Sequence, residues 1–361
     1  MAGLGRAFQV MAPAFADPRV ELAGATDPRK PAFEGRFFAS VEALCRSPDI
    51  DVVYVATPHP LHAEHACLAA RHGKHVLVEK PMALSLDECR RMIDAARQAG
   101  VQLLVGHSHS FDSPIRKTRE LIQAGGYGKL RMITALNFTD FLYRPRRPEE
   151  LDTARGGGAV FNQAAHQVDV ARALSQSRIS SVKAQTGNWD PARPTEGAYA
   201  ALLAFEDGAF ASLTYSGYAH FDSDELMGWV GEMGQRKDPG RYGSSRRNLD
   251  DAQKYAPRPL AQAVAHQHFG FLIASCERAD LRPLPDGVMI YGDEEKRLDP
   301  LPVPQIPRQE VIDALYKAIF LNERPLHDGQ WGMATLEVCL AILESGRTGK
   351  EVLLRHQPKS A

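Results

Sequence analysis

The run His75-Val76-Leu77-Val78 followed by Glu79-Lys80-Pro81 limits what this chain can fold into more than any other stretch. Consecutive apolar residues bounded by polar and turn residues read as a strand buried on both faces, the pattern of a parallel sheet covered by helices. Pro81 has no amide to donate and biases the residue before it away from helix, so the strand ends there with Lys80 held extended. Open α/β sheets assemble their ligand sites at the carboxyl ends of parallel strands. A lysine partly desolvated at such a position has a lowered pKa and can exchange a proton with a hydroxyl. Taken alone, an adjacent Glu-Lys pair is more readily a surface ion pair, so the rest of the chain has to decide.

The same strand character recurs at intervals across the first 112 residues. Val20–Thr26, Asp51–Thr57 and Val101–Gly106 read as further strands, and Ser40–Arg46, Leu61–His72 and Ser85–Ala99 as helices between them. Ser85 is placed as an N-cap with Glu88 in the capping-box position. Alternation of this kind predicts a doubly wound parallel sheet. Beyond Ser113 the strands lengthen and pair locally. Leu130–Thr139, Val182–Trp189, Ala198–Phe205 and Ala209–Tyr218 have strand composition, the last two joined by the turn Glu206-Asp207-Gly208. Gly287–Tyr291 and Lys296–Leu298 flank a turn at Gly292-Asp293, with helices at Val160–Ser175 and within Gln309–Ser345.

The expected architecture is therefore α/β, with a doubly wound N-terminal domain over 1–112. An α+β domain over 113–361 would carry a large, mainly antiparallel open sheet. A chain of 361 residues exceeds one ordinary core, which agrees with two domains. An open sheet buries its free face well against another copy, so a homodimer or homotetramer is expected.

A net charge of −1 gives no general attraction to nucleic acid or anionic membranes. The five cysteines (Cys45, Cys67, Cys89, Cys276, Cys339) form no CxxC pair, which points to a reducing compartment and the cytoplasm. No stretch approaches the roughly 18 apolar residues of a membrane span.

Gly3-Leu4-Gly5-Arg6-Ala7-Phe8 begins a G-x-G-x-x-G fingerprint, with Phe8 in place of the third glycine. Asp27 lies 22 residues beyond Gly5, at the end of the next strand, where a carboxylate accepts hydrogen bonds from an adenosine ribose. That favours NAD; Arg29 and Lys30 keep NADP as a second candidate. Asp27 is equally well a turn residue before Pro28. The fingerprint ordinarily follows a strand, yet only Met1 and Ala2 precede it, so the first strand is expected to be cut short and the true start to lie upstream.

With Gly3-Leu4-Gly5, then Ala56-Thr57-Pro58 and His62, then Glu79-Lys80-Pro81, the chain resembles the glucose-fructose oxidoreductase, inositol dehydrogenase and MocA (Gfo/Idh/MocA) family. The likeness continues through Gly156-Gly157-Gly158, Asn162, His166 and Asp169. It implies an NAD-binding Rossmann domain. Gly3, Gly5, Arg6, Ala7, Asp27, Thr57, Pro58, His62, Glu79 and Lys80 would be its cofactor-binding residues. It also implies that Lys80 and His166 work at a substrate hydroxyl, with Asn162, Asp169 and His107 at the substrate. Spacing of four puts Asn162 and His166 on one helical face, and a neutral histidine can accept a hydroxyl proton. Asn162 stands where the family usually carries Asp, so proton transfer falls to His166 and Lys80, with the base unassigned between them. His107 and His109 have H-x-H spacing, but no carboxylate cluster accompanies them in sequence and no metal is expected.

Two arginine clusters stand out. Arg144-Pro145-Arg146-Arg147 follows the aromatic residues Phe138, Phe141 and Tyr143, and guanidinium forks there suit a carboxylate. Arg236, Lys237, Arg241, Arg246 and Arg247 read instead as a solvated basic loop. The segments Asn137-Phe138-Thr139-Asp140-Phe141-Leu142-Tyr143, Phe161-Asn162-Gln163-Ala164-Ala165-His166 and Tyr215-Ser216-Gly217-Tyr218 resemble the family's phthalate 4,5-dihydrodiol (4,5-dihydroxyphthalate) dehydrogenase branch. That resemblance implies oxidation of a carboxylated cyclic cis-diol in phthalate degradation, an aromatic catabolism. A sugar or inositol dehydrogenase is the alternative within the family, and a non-catalytic dinucleotide-binding sensor the alternative outside enzymes.

Overall fold

The computed structural model describes residues 1–30, 33–144, 146–218, 220–241 and 263–358. The chain divides into two compact units, Met1–His107 with Ile306–Leu336, and Ser108–Gln305 with Glu337–Ala361. The first unit thus takes in a segment, 306–336, that the sequence reading assigned to the second half.

In the first unit, helices α1 (Arg6–Met11), α2 (Val41–Cys45), α3 (His62–Arg71) and α4 (Leu86–Ala99) alternate with short strands. These are β1 (Gly24–Ala25), β2 (Arg36–Phe37), β3 (Val52–Val55), β4 (His75–Val78) and β5 (Leu103–Val105). β3, β4 and β5 are parallel, with Val53 opposite Val76 and Leu77 opposite Leu104. Val53, Val55, Val76, Val78 and Leu104 are wholly buried, as a strand covered on both faces requires. β1 pairs with β2 in parallel. Ala2 forms parallel bridges to both Thr26 and Val55, its amide donating to the Tyr54 carbonyl at 2.9 Å. Ala2 thus joins Thr26, next to β1, to Val55 of β3. The expected strand Val20–Thr26 contracts to Gly24–Ala25, because the Val20 amide turns to the Asp17 carbonyl (3.0 Å) and Ala23 to Glu21 (3.0 Å). Ser85 caps α4 by accepting from the Glu88 amide at 3.2 Å. The Glu88 carboxylate accepts from Leu84 at 3.0 Å, one residue before the expected position.

The second unit begins with α5 (Ser113–Gln123) and contains α6 (Ala165–Ser175). Its strands are β6 (Leu130–Phe138), β7 (Ile179–Gly187), β8 (Ala198–Phe205), β9 (Phe210–Ser216), β10 (Phe271–Cys276), β11 (Ala279–Leu284), β12 (Gly287–Gly292), β13 (Lys296–Pro300) and β14 (Val352–Leu353). They form one nine-stranded sheet in the order β13-β12-β11-β10-β6-β9-β8-β7-β14. β6 and β9 run parallel and every other neighbouring pair is antiparallel. Ala201, Leu203 and Phe205 alternate inward with Ala211, Leu213 and Tyr215, sharing a core with Val168 and Leu174 of α6. The opposite face presents Leu202 (48 % exposed) and Phe210 (42 % exposed). The closing helical segment consists of α7 (Gln309–Phe320) and α8 (Gly329–Thr348). Among the described residues no helix is long and apolar enough to cross a membrane.

Gly3 has φ +93°, and a Cβ there would stand 2.6 Å from the Ala56 carbonyl oxygen. Gly3→Ala is expected to destabilise the first unit by about 1–3 kcal/mol. Denaturant unfolding checks this: a variant as stable as the parent would mean that Gly3 is not held by that close approach.

Candidate active site

The carboxyl ends of the parallel strands gather the motifs of the first unit. The Glu79 amide donates to the Val55 carbonyl at 3.0 Å and Gly106 to Val78 at 2.9 Å, so Lys80 and His107 emerge where β4 and β5 end. Lys80 is half-buried, and its charge bears on both Glu79 and His62. Burial pushes the Glu79 carboxyl up, and the Tyr54 hydroxyl donates to it. His107 is buried.

His62 is wholly buried, with Nε2 2.8 Å from the Thr57 carbonyl and Nδ1 2.9 Å from that of Pro81. A neutral ring can donate to only one of these, and burial pushes its pKa below the ordinary range. His62, expected at the cofactor, ties together the loops after β3 and β4. Thr57 Oγ1 lies 3.0 Å from His65 Nδ1, and Pro58 follows it at the foot of α3.

At the fingerprint, the Asp27 carboxylate accepts from the Leu4 amide (2.9 Å) and from the amide and side chain of Arg29. Burial opposes its ionisation, but these donors outweigh that and hold the carboxyl below its usual range. Arg29 thus pairs with Asp27. Arg6 is exposed and Ala7 half-buried beyond Gly5. A Cβ on Gly5 would meet nothing within 4 Å, leaving open backbone beside α1, as the close approach of a dinucleotide pyrophosphate requires.

The second unit holds the histidine of the set. The expected helix Val160–Ser175 opens with a π-turn, Val160–Ala164, before α6. The Asn162 amide donates to the carbonyls of Gly156 (3.2 Å) and Gly158 (2.8 Å), bracing the glycine loop. Gly158 has φ +81°, and a Cβ there would strike Glu196. Glu196 caps the π-turn by accepting from the Val160 amide at 3.0 Å.

His166 and Asp169 both face the segment Ser108–Ser110. Ser108 Oγ lies 3.4 Å from His166 Nδ1, and the Ser110 hydroxyl donates to Asp169. The His109 ring stands edge-on to His166 with centroids 4.8 Å apart, and Phe269 lies 4.8 Å from His166 and 5.0 Å from His109. His109 Nδ1 is 2.7 Å from Asp112 and Nε2 3.5 Å from Glu232. Burial opposes a charge on His109, but the two carboxylates outweigh it and raise its pKa to about 9. The carboxylates that the sequence did not place beside this histidine are therefore present. Among the described residues no group of three or more His, Cys, Asp or Glu is disposed to hold a metal.

Glu232 also lies within electrostatic range of Arg144, Arg146 and Tyr215. Arg144 pairs with Asp140 at 2.7 Å. Arg146 packs over the Phe141 ring at 3.8 Å and donates to its carbonyl at 2.9 Å. Tyr215 stacks nearly parallel with Phe269 at 6.3 Å. Arg147 is not part of this group, since its side chain pairs with Glu149 (3.0 Å) and Glu150 (3.5 Å) of its own loop. Lys237 is likewise taken up by Asp222 and Asp224. Arg246 and Arg247 lie outside the described residues.

Known proteins are similar to this chain. The model for the NAD-binding Rossmann fold of the oxidoreductase family matches residues 1–107, and that for the GFO/IDH/MocA C-terminal domain matches residues 115–235. A Comamonas testosteroni protein named 1-carboxy-3-chloro-3,4-dihydroxycyclohexa-1,5-diene dehydrogenase is 47% identical over 371 residues, covering 96% of this chain and 94% of its own. A crystal structure from Bordetella bronchiseptica RB50, of a protein described as a dehydrogenase, superposes with TM-score 0.93 at 42% identity over 98% of both chains. The WlbA dehydrogenase from Bordetella pertussis, solved with NADH and UDP-GlcNAcA, shares the fold with TM-score 0.68 at 24% identity over 98% of this chain and 97% of that one. The protein is an NAD-dependent dehydrogenase. It belongs to the Gfo/Idh/MocA oxidoreductase family.

His109 titrates near 9 in the folded chain against its ordinary 6.5, so its contribution to stability is complete below about pH 6.5 and lost as pH rises through about 9. Replacing Asp112 by Asn removes much of that contribution. The stability gap between parent and Asp112→Asn is expected to be widest near pH 6 and to narrow toward pH 9.5. Thermal melts across that range decide it; a gap independent of pH would mean that His109 is not held as a cation by Asp112.

Proposed function

We propose that the protein uses NAD to oxidise a cyclic cis-diol bearing a carboxylate, with the cis-4,5-dihydrodiol of phthalate as substrate and 4,5-dihydroxyphthalate as product. The observation that carries this reading is the position of Glu232. It touches the His109 that abuts His166 and lies within range of Arg144 and Arg146. A proton-accepting histidine and a pair of guanidiniums therefore belong to one cluster walled by Phe269 and Tyr215. Guanidinium forks recognise carboxylates bidentately, and aromatic faces suit a flat ring. The relative from Comamonas testosteroni carries a carboxylated dihydroxycyclohexadiene in its name, a substrate of the same chemical class.

The residue roles follow from the chemistry. Gly3, Gly5 and Asp27 hold the dinucleotide, with Arg6, Ala7, Thr57, Pro58 and Glu79 lining its site and His62 setting the loops. When bound, NAD accepts the carbinol hydrogen with its electron pair. Lys80 and His166 serve the departing hydroxyl proton, His166 standing beside Ser108. Asp169, braced by Ser110, keeps α6 in register with that loop. Arg144 and Arg146 anchor the carboxylate; Asn162 shapes the glycine loop beside it, and His107 closes the β5 end. The ketone first formed tautomerises to a catechol, and aromatisation draws the reaction forward. We read the exposed face carrying Leu202 and Phe210 as the contact of a homodimer or homotetramer.

Mixing the protein with NAD and the cis-4,5-dihydrodiol of phthalate is expected to generate NADH, with neutral polyols and inositol giving little. Turnover of polyols in place of the acidic diol would contradict the proposal. Lys80→Ala should lower kcat by at least about a hundredfold while NAD affinity stays within a few-fold. A near-normal rate would remove Lys80 from the chemistry. Arg146→Ala should raise KM for the acidic diol about tenfold with kcat little changed; an unchanged KM would place the carboxylate elsewhere.

A further inference from the structure

The mechanism above gives the buried His109 no task. His109 is 1 % exposed, follows Ser108 directly, and has a carboxylate at each ring nitrogen. Both nitrogens therefore donate, which only the protonated ring can do. Among the described residues, the groups shown facing it come from four places. Asp112 lies at the start of α5, Glu232 on the loop after Gly228, His166 on α6, and His268 with Phe269 just before β10. Arg144, Arg146 and Tyr215 reach the cluster through Glu232. His268 has its Nε2 2.8 Å from the Val230 carbonyl and 3.9 Å from Asp224, and its Nδ1 accepts from the Gly270 amide, so it adds no donor toward His109.

We propose that His109 is a fixed cation that holds His166 in its neutral, proton-accepting form, which makes His109 a positioning residue of the dehydrogenation. The inference rests on His166 being the proton acceptor of the proposed reaction. A positive charge 4.8 Å from the His166 ring opposes a second positive charge there. The ring geometry adds a second effect. The edge-on contact with His109, together with the tilted contact with Phe269, holds the His166 plane. Asp112 and Glu232 play distinct parts. Asp112 maintains the His109 charge at short range, whereas Glu232, 31 % exposed and shared with the arginines, moderates how strongly that charge is felt.

The test reads the His166 titration directly, by NMR of the ligand-free protein labelled at histidine, so it needs neither substrate nor turnover. In His109→Gln the cation is lost, and the His166 titration is expected to move to higher pH by about one unit. In Glu232→Gln an anion is lost while His109 stays charged, and the His166 titration is expected to move to lower pH. Opposite shifts in two folded variants are what an electrostatic role requires and a packing role does not produce. An unmoved titration in His109→Gln, or the same direction in both variants, would overturn the proposal. If His109→Gln fails to fold, Glu232→Gln decides alone, a downward shift supporting the proposal and no shift overturning it. The acid limb of kcat/KM should move with the titration in each variant. A titration that shifts while the limb stays fixed would retain the electrostatic contact and remove His166 as the base.

Discussion

A buried positive charge organises the chemistry of the second unit. His109 can remain protonated inside the protein because Asp112 and Glu232 each take one of its ring nitrogens, and charge pairing offsets the cost of desolvation. Through that ring the segment Ser108–Asp112 is locked to α6, with Ser108 on His166 and Ser110 on Asp169. Through Glu232 the same charge is linked to Arg144 and Arg146. Removing one carboxylate would leave a charge without its partner in a site that water scarcely enters, so the parts of this cluster are expected to act as a unit.

The two units contribute different kinds of order. In the first, short parallel strands with wholly buried Val and Leu residues leave their polar ends on one side, and His62 fastens the loops after β3 and β4 to each other. In the second, a broad mixed sheet supplies a rigid floor. Tyr199, Tyr215 and Phe269 stack in sequence above it, with Tyr199 and Tyr215 5.6 Å apart. All three rings are buried, so they belong to the core on which the cluster is built.

Much of this was legible from residue order alone. His75–Val78 is the strand that the apolar run predicts, and Ser85 caps α4 as its position before Glu88 suggests, because these features depend on neighbours in sequence. β10 and β11 were not read, although Phe271–Cys276 is an apolar run. Arg278, Arg282 and Pro283 mask the alternation, and pairing with β6 and β12 overrides local preference. The π-turn at Val160–Ala164 has no periodic trace in the sequence, nor do the hydrogen bonds by which Asn162 braces Gly156 and Gly158, because they depend on the path of the glycine loop. Arg147 and Arg146 look equivalent in sequence, and only three dimensions reveal that Arg147 lies beside Glu149 and Glu150. Asp112, three residues after His109, was a local signal that could have been weighed. Glu232 had none, since it reaches His109 across more than a hundred residues of chain.

The central claim is that the proton-accepting histidine and the arginine pair serve one acidic ring. A crystal structure of the protein with NADH and a catechol carboxylate tests it most directly. The account predicts the carboxylate on Arg144 and Arg146 and a ring hydroxyl within hydrogen-bond reach of His166. A catechol bound with its carboxylate in solvent, or with both hydroxyls away from His166, would contradict it.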